Sequence, residues 1–206
     1  MKQKFYIDTH KGVTFIAVLV MMGIYQQWGN VTAWVYLALH GTYGLMWVLK
    51  SRIFPDKQWE QECSVWYGLY IWAGLSLYWI APWLITAGGI NVPSWYLAMA
   101  VFINIMGVFL HYSSDMQKYI ELKYNPEHLI TDGLMAYSRN INYFGELLIY
   151  GAFALLAMSW IPFAVIAAYL IIVWGPNIRR KDKSLSRYPE FEEYKQKVKL
   201  FIPFIY

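Results

Sequence analysis

Long apolar stretches separated by short polar turns dominate this chain. The pattern predicts helices over residues 12–28, 32–49, 64–85 and 95–112, a fifth beginning at residue 143, and a sixth ending near residue 174. A helix rises about 1.5 Å per residue and a hydrocarbon core is about 30 Å thick, so a spanning helix needs about 20 residues. The sixth stretch is shorter than that, so either this helix is tilted against neighbours that thin the local hydrocarbon core, or the last two helices form a short hairpin inside the bundle.

The turns between these stretches are marked by residues that end helices. Gly29 and Asn30 separate the first two, and Gly88, Gly89 and Pro93 follow the third. After Pro176 the chain is polar, apart from an amphipathic segment and an apolar ending. The predicted fold class is therefore all-α, a polytopic membrane bundle of about six transmembrane helices with an amphipathic C-terminal tail.

Composition agrees with this interpretation and limits the chemistry. Of the 206 residues, 58% are hydrophobic and 19% aromatic, which is typical of polytopic membrane proteins. The length predicts a single integral membrane domain over residues 1–206, without a separate soluble catalytic domain. The single cysteine, Cys63, excludes an intrachain disulfide and a thiolate zinc cluster, and no metal site is predicted. Nothing in the sequence indicates nucleic-acid binding or an oligomeric state.

Charge placement predicts the topology. All 17 Lys and Arg residues fall before the first predicted helix or after the second, fourth and sixth. This places them on one side of the bilayer, as positively charged cytoplasmic loops require. Both termini are then cytoplasmic, in a bacterial inner membrane or the endoplasmic reticulum. In this topology Lys11 is the last residue of the basic segment that precedes the first helix.

A stripe of polar residues enters the fifth apolar stretch. Arg139, Asn142 or Tyr143, Glu146 and Tyr150 recur at helical spacing, which predicts that they face one cavity. Glu146 is the acidic residue that lies clearly inside an apolar stretch. An ionisable residue there is costly and is by default a functional-site candidate.

Each candidate residue also has a purely structural interpretation, and helical spacing alone does not distinguish it from the functional one. Glu146 pairs with Arg139 in one reading, and Asn142 is a helix N-cap in another. His111 and Asp115, one turn apart, belong either to a functional site or to a snorkelling pair at the membrane interface. His40 is either a catalyst or a hydrogen-bonded core histidine. The basic C-terminal residues are either ligands or solvated charges.

Residues 138–146, Ser-Arg-Asn-Ile-Asn-Tyr-Phe-Gly-Glu, resemble the Ser-Arg-His-Pro-Asn-Tyr-Phe-Gly-Glu signature of the steroid 5-alpha-reductase family and its bacterial relatives. Further similar elements occur in the same order: Ser-Asp-Met-Gln-Lys at 114–118, Gly-Leu at 133–134, Lys-Asp-x-Ser-Leu at 181–185, Tyr-Pro at 188–189, Tyr194, and Ile-Pro-Phe-Ile at 202–205. The resemblance covers roughly residues 100–206.

The resemblance implies a membrane-embedded, NADPH-dependent reductase of a carbon–carbon double bond in a sterol-like or isoprenoid lipid. Residues 100–206 would bind the cofactor and residues 1–99 would form the substrate side. Asp115 would meet the adenosine, Asn142 and Glu146 the nicotinamide, and Arg139 with Arg179 or Arg180 the phosphates. The remaining cofactor candidates are His111, Tyr143, Asp182 and Tyr194.

Catalysis on an enone needs an acid that polarises the carbonyl group, and Tyr43 or His40 are the candidates, with Glu146 as the third catalytic candidate. The early helices depart from the family pattern. Gly41 stands where its tyrosine would be expected, and Gly44 where an arginine would be expected. Asn140 and Ile141 replace the His and Pro of the signature.

Two alternatives remain. Arg139, Tyr143 and Gly145, followed by the C-terminal pattern, also resemble isoprenylcysteine and phospholipid methyltransferases, which use S-adenosylmethionine. In this chain, Asp182, between Lys181 and Lys183, replaces the acidic pair that those methyltransferases lead us to expect. A non-catalytic membrane protein is the second alternative.

Overall fold

The computed structural model describes residues 1–205, and within them it contains helices and turns but no strand beyond an isolated bridge between Lys2 and Glu62. The helices, in chain order, are α1 Gln3–Ile24, α2 Val31–Ile53, α3 Val65–Ala87, α4 Ser94–Tyr124, α5 Ile141–Leu156, α6 Ile161–Leu185 and α7 Phe191–Lys197. Short 3-10 turns cover Lys57–Glu60 and Gly133–Ala136.

Four of these helices, α1, α3, α4 and α6, are long and apolar enough to cross a membrane, and α5 is apolar but shorter. The predicted class, an all-α membrane bundle, is therefore confirmed. The membrane crossings assigned to α2 and α5, and the side on which the termini lie, remain predictions.

The structure corrects three predicted boundaries. Helix α1 begins at Gln3, so Lys11 lies inside it and not in a preceding basic segment. Helix α4 continues to Tyr124 and includes Asp115. Helix α6 extends through Pro176 to Leu185, because a π-helical segment, Leu170–Trp174, resets the hydrogen bonding and places Pro176 in the first turn of the next α-helical segment.

The chain divides into two compact units, the first formed by residues 1–104 and 150–165 and the second by residues 105–149 and those from 166 onward. These boundaries lie inside α4, α5 and α6. The predicted functional division near residue 100 stays a prediction.

In the first unit, α1 packs against α2 and α3 at two glycines. A Cβ atom on Gly44 of α2 would lie 2.2 Å from the carbonyl oxygen of Lys11, and one on Gly68 of α3 would lie 2.1 Å from the ring of Tyr6. Because glycine has no side chain, the backbones of α1 and α2 approach closely at Gly44, and Gly68 leaves room for the Tyr6 ring. The face of α1 buried here recurs every three or four residues: Tyr6, Ile7, His10, Lys11, Thr14, Val18 and Met22.

In the second unit, α4 and α5 cross at Gly107 and Gly145. A Cβ atom on Gly145 would lie 2.6 Å from the backbone nitrogen of His111, and one on Gly107 would lie 2.7 Å from the carbonyl oxygen of Gly145. The amphipathic tail predicted from the sequence forms α7. Its apolar face, with Phe191 and Tyr194, is buried together with Val198 against Leu129, Leu185 and Tyr188.

Candidate functional site

Lys11 occupies the centre of a polar cluster in the first unit. Its side chain is 6% exposed, and its Nζ donates to the hydroxyl oxygens of Tyr43 and Tyr150, each at 3.0 Å. The ammonium also lies 3.9 Å from the ring centroid of Trp47. Hydrogen bonds and cation–π contacts of this kind compensate for the loss of hydration of a buried cation.

The two residues proposed as polarising acids lie near each other on α2 but have different partners. Tyr43 is 1% exposed and holds the Lys11 ammonium. His40 is 5% exposed, its Nδ1 shares a 2.7 Å hydrogen bond with the hydroxyl of Tyr36, and its ring stacks on Phe153 at 4.3 Å. Tyr43 therefore belongs to the charged cluster, whereas the contacts of His40 are those of a hydrogen-bonded core histidine.

His10, adjacent to Lys11 in the sequence, is buried with only 2% exposed. Its ring stacks on Trp79 with centroids 4.7 Å apart and meets the edge of Trp72 at 5.0 Å. Neither ring nitrogen has a hydrogen-bond partner among the described residues.

In the second unit, α4 and α5 bring together a further set of polar residues. His111 is 2% exposed, with Nδ1 at 3.2 Å from the backbone oxygen of Asn142 and Nε2 at 3.7 Å from Asp115 Oδ2. Asn142 lies one residue inside α5, which begins at Ile141, so it is not the helix N-cap. Its side-chain Oδ1 is buried and has no hydrogen-bond partner within residues 1–205. Glu146 follows one turn later and is partly buried.

Arg139 lies before α5 rather than on it, and its partners are in the C-terminal region. Its guanidinium meets the Asp182 carboxylate with Nε–Oδ1 3.4 Å and Nη2–Oδ2 3.1 Å. Nη1 donates to the backbone oxygens of Val198 at 2.6 Å and Lys195 at 3.2 Å. The predicted stripe therefore lacks its first member, and Arg139 pairs with Asp182 rather than Glu146.

The neighbours of Arg139 extend this attachment. Ser138 Oγ donates to the backbone oxygen of Phe201 at 2.9 Å, and Asn140 Nδ2 donates to that of Leu200 at 2.9 Å. The backbone nitrogen of Arg139 donates to the oxygen of Lys199 at 2.9 Å. We call residues 138–140 the tail clamp, because together they hold residues 195–201.

The other predicted cofactor residues have distinct environments. Arg179 and Arg180 are exposed near the end of α6, and Tyr143 packs its ring 5.7 Å from that of Trp174. Tyr194 is 6% exposed and donates from its hydroxyl to the backbone oxygen of Met135 at 2.7 Å. Burial raises the pKa of Tyr194 to about 12, while the nearby Arg139 acts in the opposite direction.

A protein-family model matches residues 1–198 of this chain, nearly its whole length. The chain belongs to the family described as "Protein of unknown function (DUF1295)". A search of curated proteins finds no match.

Two features of this DUF1295 chain differ from what its sequence pattern predicts. The pattern predicts a basic flank at Lys11, because the apolar stretch begins at Gly12. Its spacing of three, seven and eleven residues from Thr14, Val18 and Met22 was the signal that it shares their buried face. The pairing of Arg139 with Asp182 had no such signal, since the two residues lie far apart in the sequence.

Chemically, the two polar sets of the DUF1295 chain differ. The first unit offers a buried ammonium with two phenol groups, which suits hydrogen bonding to an electron-rich oxygen. The second offers an unpaired amide oxygen beside a histidine and two carboxylates, Asp115 and Glu146, which suits amide or hydroxyl groups of a cofactor.

Proposed function

We propose that this protein is a membrane-embedded, NADPH-dependent reductase of a carbon–carbon double bond conjugated to a carbonyl group in a lipid. The observation that carries the proposal is the placement of Lys11 on the hydroxyl oxygens of both Tyr43 and Tyr150 inside the first unit. The resemblance of residues 138–146 to steroid 5-alpha-reductases supports it.

Hydrogen-bond direction explains why this cluster suits reduction. An ammonium group only donates hydrogen bonds, so the phenol oxygens accept in both contacts with Lys11. The phenolic hydrogens take no part in those contacts, and a phenol that donates to a carbonyl oxygen stabilises the negative charge that develops there during reduction. Methyl transfer to a carboxylate or an amine requires no such donor.

The second unit supplies residues that fit the cofactor. The unpaired Oδ1 of Asn142 is an acceptor for the amide hydrogens of a nicotinamide, and Asp115 accepts from ribose or adenine donors. Arg139 does not fit the role of phosphate ligand, because its guanidinium is engaged with Asp182 and two carbonyls. The exposed Arg179 and Arg180 fit that role instead, as guanidinium groups commonly bind phosphate.

When bound, NADPH supplies a hydride to the carbon–carbon double bond. The two-electron reduction is completed by one proton, which goes to the neighbouring carbon from solvent or from a protein acid, so that the double bond becomes a CH–CH unit. In this scheme Tyr43, held by Lys11, donates a hydrogen bond to the carbonyl oxygen of the lipid, and the apolar surroundings exclude water.

Cofactor binding is tested by thermal stabilisation of the detergent-purified protein with NADPH, NADH and S-adenosylmethionine. Binding to the native state at a hundredfold excess over Kd stabilises it by about 2.7 kcal/mol. We expect stabilisation by NADPH, its loss in Asn142→Ala, and its retention in the matched control Asn91→Ala, which changes an exposed turn residue. Absence of any NADPH effect on the wild-type protein would refute the proposal.

The catalytic assignment is tested by NADPH oxidation in the presence of lipid enones. Loss of a general acid or polarising donor lowers rates about 10²- to 10⁴-fold. We expect losses of this size in Tyr43→Phe and Lys11→Met, with NADPH stabilisation unchanged. Tyr67→Phe, on the exposed part of α3, serves as the control and should keep its activity.

One observation favours S-adenosylmethionine methyl transfer as the second candidate. Asp115 and Glu146 give the polar set of α4 and α5 an acidic character, and carboxylates suit a sulfonium and an ammonium group. Asp182, however, is paired with Arg139 and is a poor ligand for a cation. Stabilisation by S-adenosylmethionine but not by NADPH would replace the reductase proposal with this one.

A further inference from the structure

His10 presents an anomaly in the part of the chain that the structure describes. Its side chain is 2% exposed, and both ring nitrogens are buried without a hydrogen-bond partner among residues 1–205. Buried side-chain nitrogens nearly always have partners in folded proteins, and exceptions require an explanation such as a ligand or an internal water. The anomaly lies in α1, one residue before Lys11.

Two tryptophans of α3 hold the imidazole in place. Trp79 stacks against it at 4.7 Å with an interplanar angle of 19°, and Trp72 meets it edge-on at 5.0 Å. Trp79 is itself fixed, because its Nε1 donates to Thr14 Oγ1 at 3.1 Å. Both indoles are only partly buried, and they contact each other edge to face with ring centroids 5.5 Å apart.

The surroundings of His10 favour one kind of ligand atom. The adjacent Lys11 contributes a positive charge, which repels ammonium groups and attracts electron-rich atoms. A neutral imidazole donates from one nitrogen and accepts at the other, so the oxygen of an alcohol satisfies either nitrogen and that of a ketone satisfies the donor. The apolar stacking partners suit the hydrocarbon around that oxygen.

We infer that His10 is a binding residue for the oxygen of a lipid alcohol or ketone, whose hydrocarbon packs against Trp72 and Trp79 once these two contacting indoles move apart. The inference rests on the proposed function for its lipid class, but it does not depend on the nucleotide. It adds a recognition site on α1 and α3 to the hydroxyl cluster around Lys11.

The test uses the full chain in detergent without nucleotide, with its histidine side chains labelled with nitrogen-15. The four histidines give few signals, and comparison with His10→Phe assigns those of His10. The probes are cholestanol, cholestanone and geranylgeraniol, with cholestane and phytane as hydrocarbon controls. We expect at least one oxygen-bearing probe to shift the His10 nitrogen signals, while neither hydrocarbon does.

Affinity provides a second measurement. Loss of one hydrogen bond weakens binding about tenfold, so His10→Phe, which keeps the stacking, should raise the Kd of the oxygen-bearing probe by about that factor. His10→Gln, which retains a donor and an acceptor, should restore part of the affinity. His128→Phe, in the loop after α4, is the control and should leave the Kd unchanged.

Each result supports the inference or overturns it. Unshifted His10 signals with every probe, or shifts that the hydrocarbons reproduce, mean that the imidazole binds at most an internal water. Full affinity in His10→Phe overturns the inference as well, and if this variant does not fold, comparison with His10→Gln assigns the His10 signals and the wild-type spectra decide. A protein that passes these tests but binds no NADPH keeps the His10 site and loses the proposed reductase function.

Discussion

Replacing Arg139 with glutamine should release the C-terminal tail from the tail clamp. The change removes two hydrogen bonds to Asp182 and two to the backbone oxygens of Val198 and Lys195. Breaking a buried ion pair costs about 3–5 kcal/mol. The Asp182 side chain is 22% exposed, so solvent screens it and the lower end of that range, about 3 kcal/mol, is expected.

A loss of about 3 kcal/mol increases the population of the released tail about 100-fold, since each factor of ten corresponds to about 1.4 kcal/mol. Limited proteolysis with trypsin measures that population directly when opening is fast compared with cleavage. Mass spectrometry should therefore show cleavage after Lys197 and Lys199 about 100 times faster in Arg139→Gln than in the wild type. Cleavage after the exposed Arg187 serves as the internal reference.

A double-mutant cycle with Asp182→Asn separates the ion pair from the carbonyl contacts. Asp182→Asn alone should accelerate cleavage less than Arg139→Gln, because the bonds of Arg139 to Val198 and Lys195 remain. The double variant should be less impaired than the sum of the two single effects. Equal cleavage rates in the wild type and Arg139→Gln, together with lost NADPH binding in that variant, would show that Arg139 is a phosphate ligand and not a clamp.

Three further measurements examine the fold. Gly145→Ala should destabilise the protein by about 1–3 kcal/mol through overpacking against His111, whereas Gly151→Ala, with nothing within 4 Å of the new Cβ, should not; equal denaturation midpoints would contradict the close crossing. Because the pKa of Tyr194 is raised from 10.0 to about 12, the unfolded state loses its proton first, and the free energy of unfolding should fall by up to about 2.7 kcal/mol as the pH rises from 10 to 12. Tyr194→Phe should abolish that fall, and an unchanged pH dependence would refute the assignment. Cys63 should react with a membrane-impermeant maleimide in inverted vesicles only; reaction from outside intact cells would reverse the predicted topology.

The fold class was predictable because long apolar stretches determine it directly, without knowledge of which helices touch. Helix ends were less predictable. The charge on Lys11 suggested a helix flank, but two tyrosine hydroxyls and an aromatic ring accommodate that charge inside α1. Similarly, Pro176 suggested a helix end, yet the π-helical segment before it lets α6 continue.

The contacts of the candidate site were harder to predict from the sequence than the helices. Helical spacing placed Arg139 on the stripe with Glu146 only if α5 extended back to residue 139, and α5 begins at Ile141. The true partner, Asp182, comes from a distant part of the chain, and local spacing contains no information about such a contact. For Asn142 the N-cap interpretation was wrong, because the residue lies inside α5 and its side-chain oxygen has no partner among the described residues, while its role toward a cofactor stays a prediction.

Gly44 has a consequence for how this chain can vary. An arginine was expected at this position, but any side chain there would collide with the backbone of Lys11, whose carbonyl oxygen lies 2.2 Å from the Cβ position. The glycine makes room for α1, the helix that carries Lys11 into the first unit. Because the collision is with the backbone of residue 11 and not with its side chain, any side chain at position 44 should push α1 away from α2 and draw the Lys11 ammonium off the hydroxyl of Tyr43.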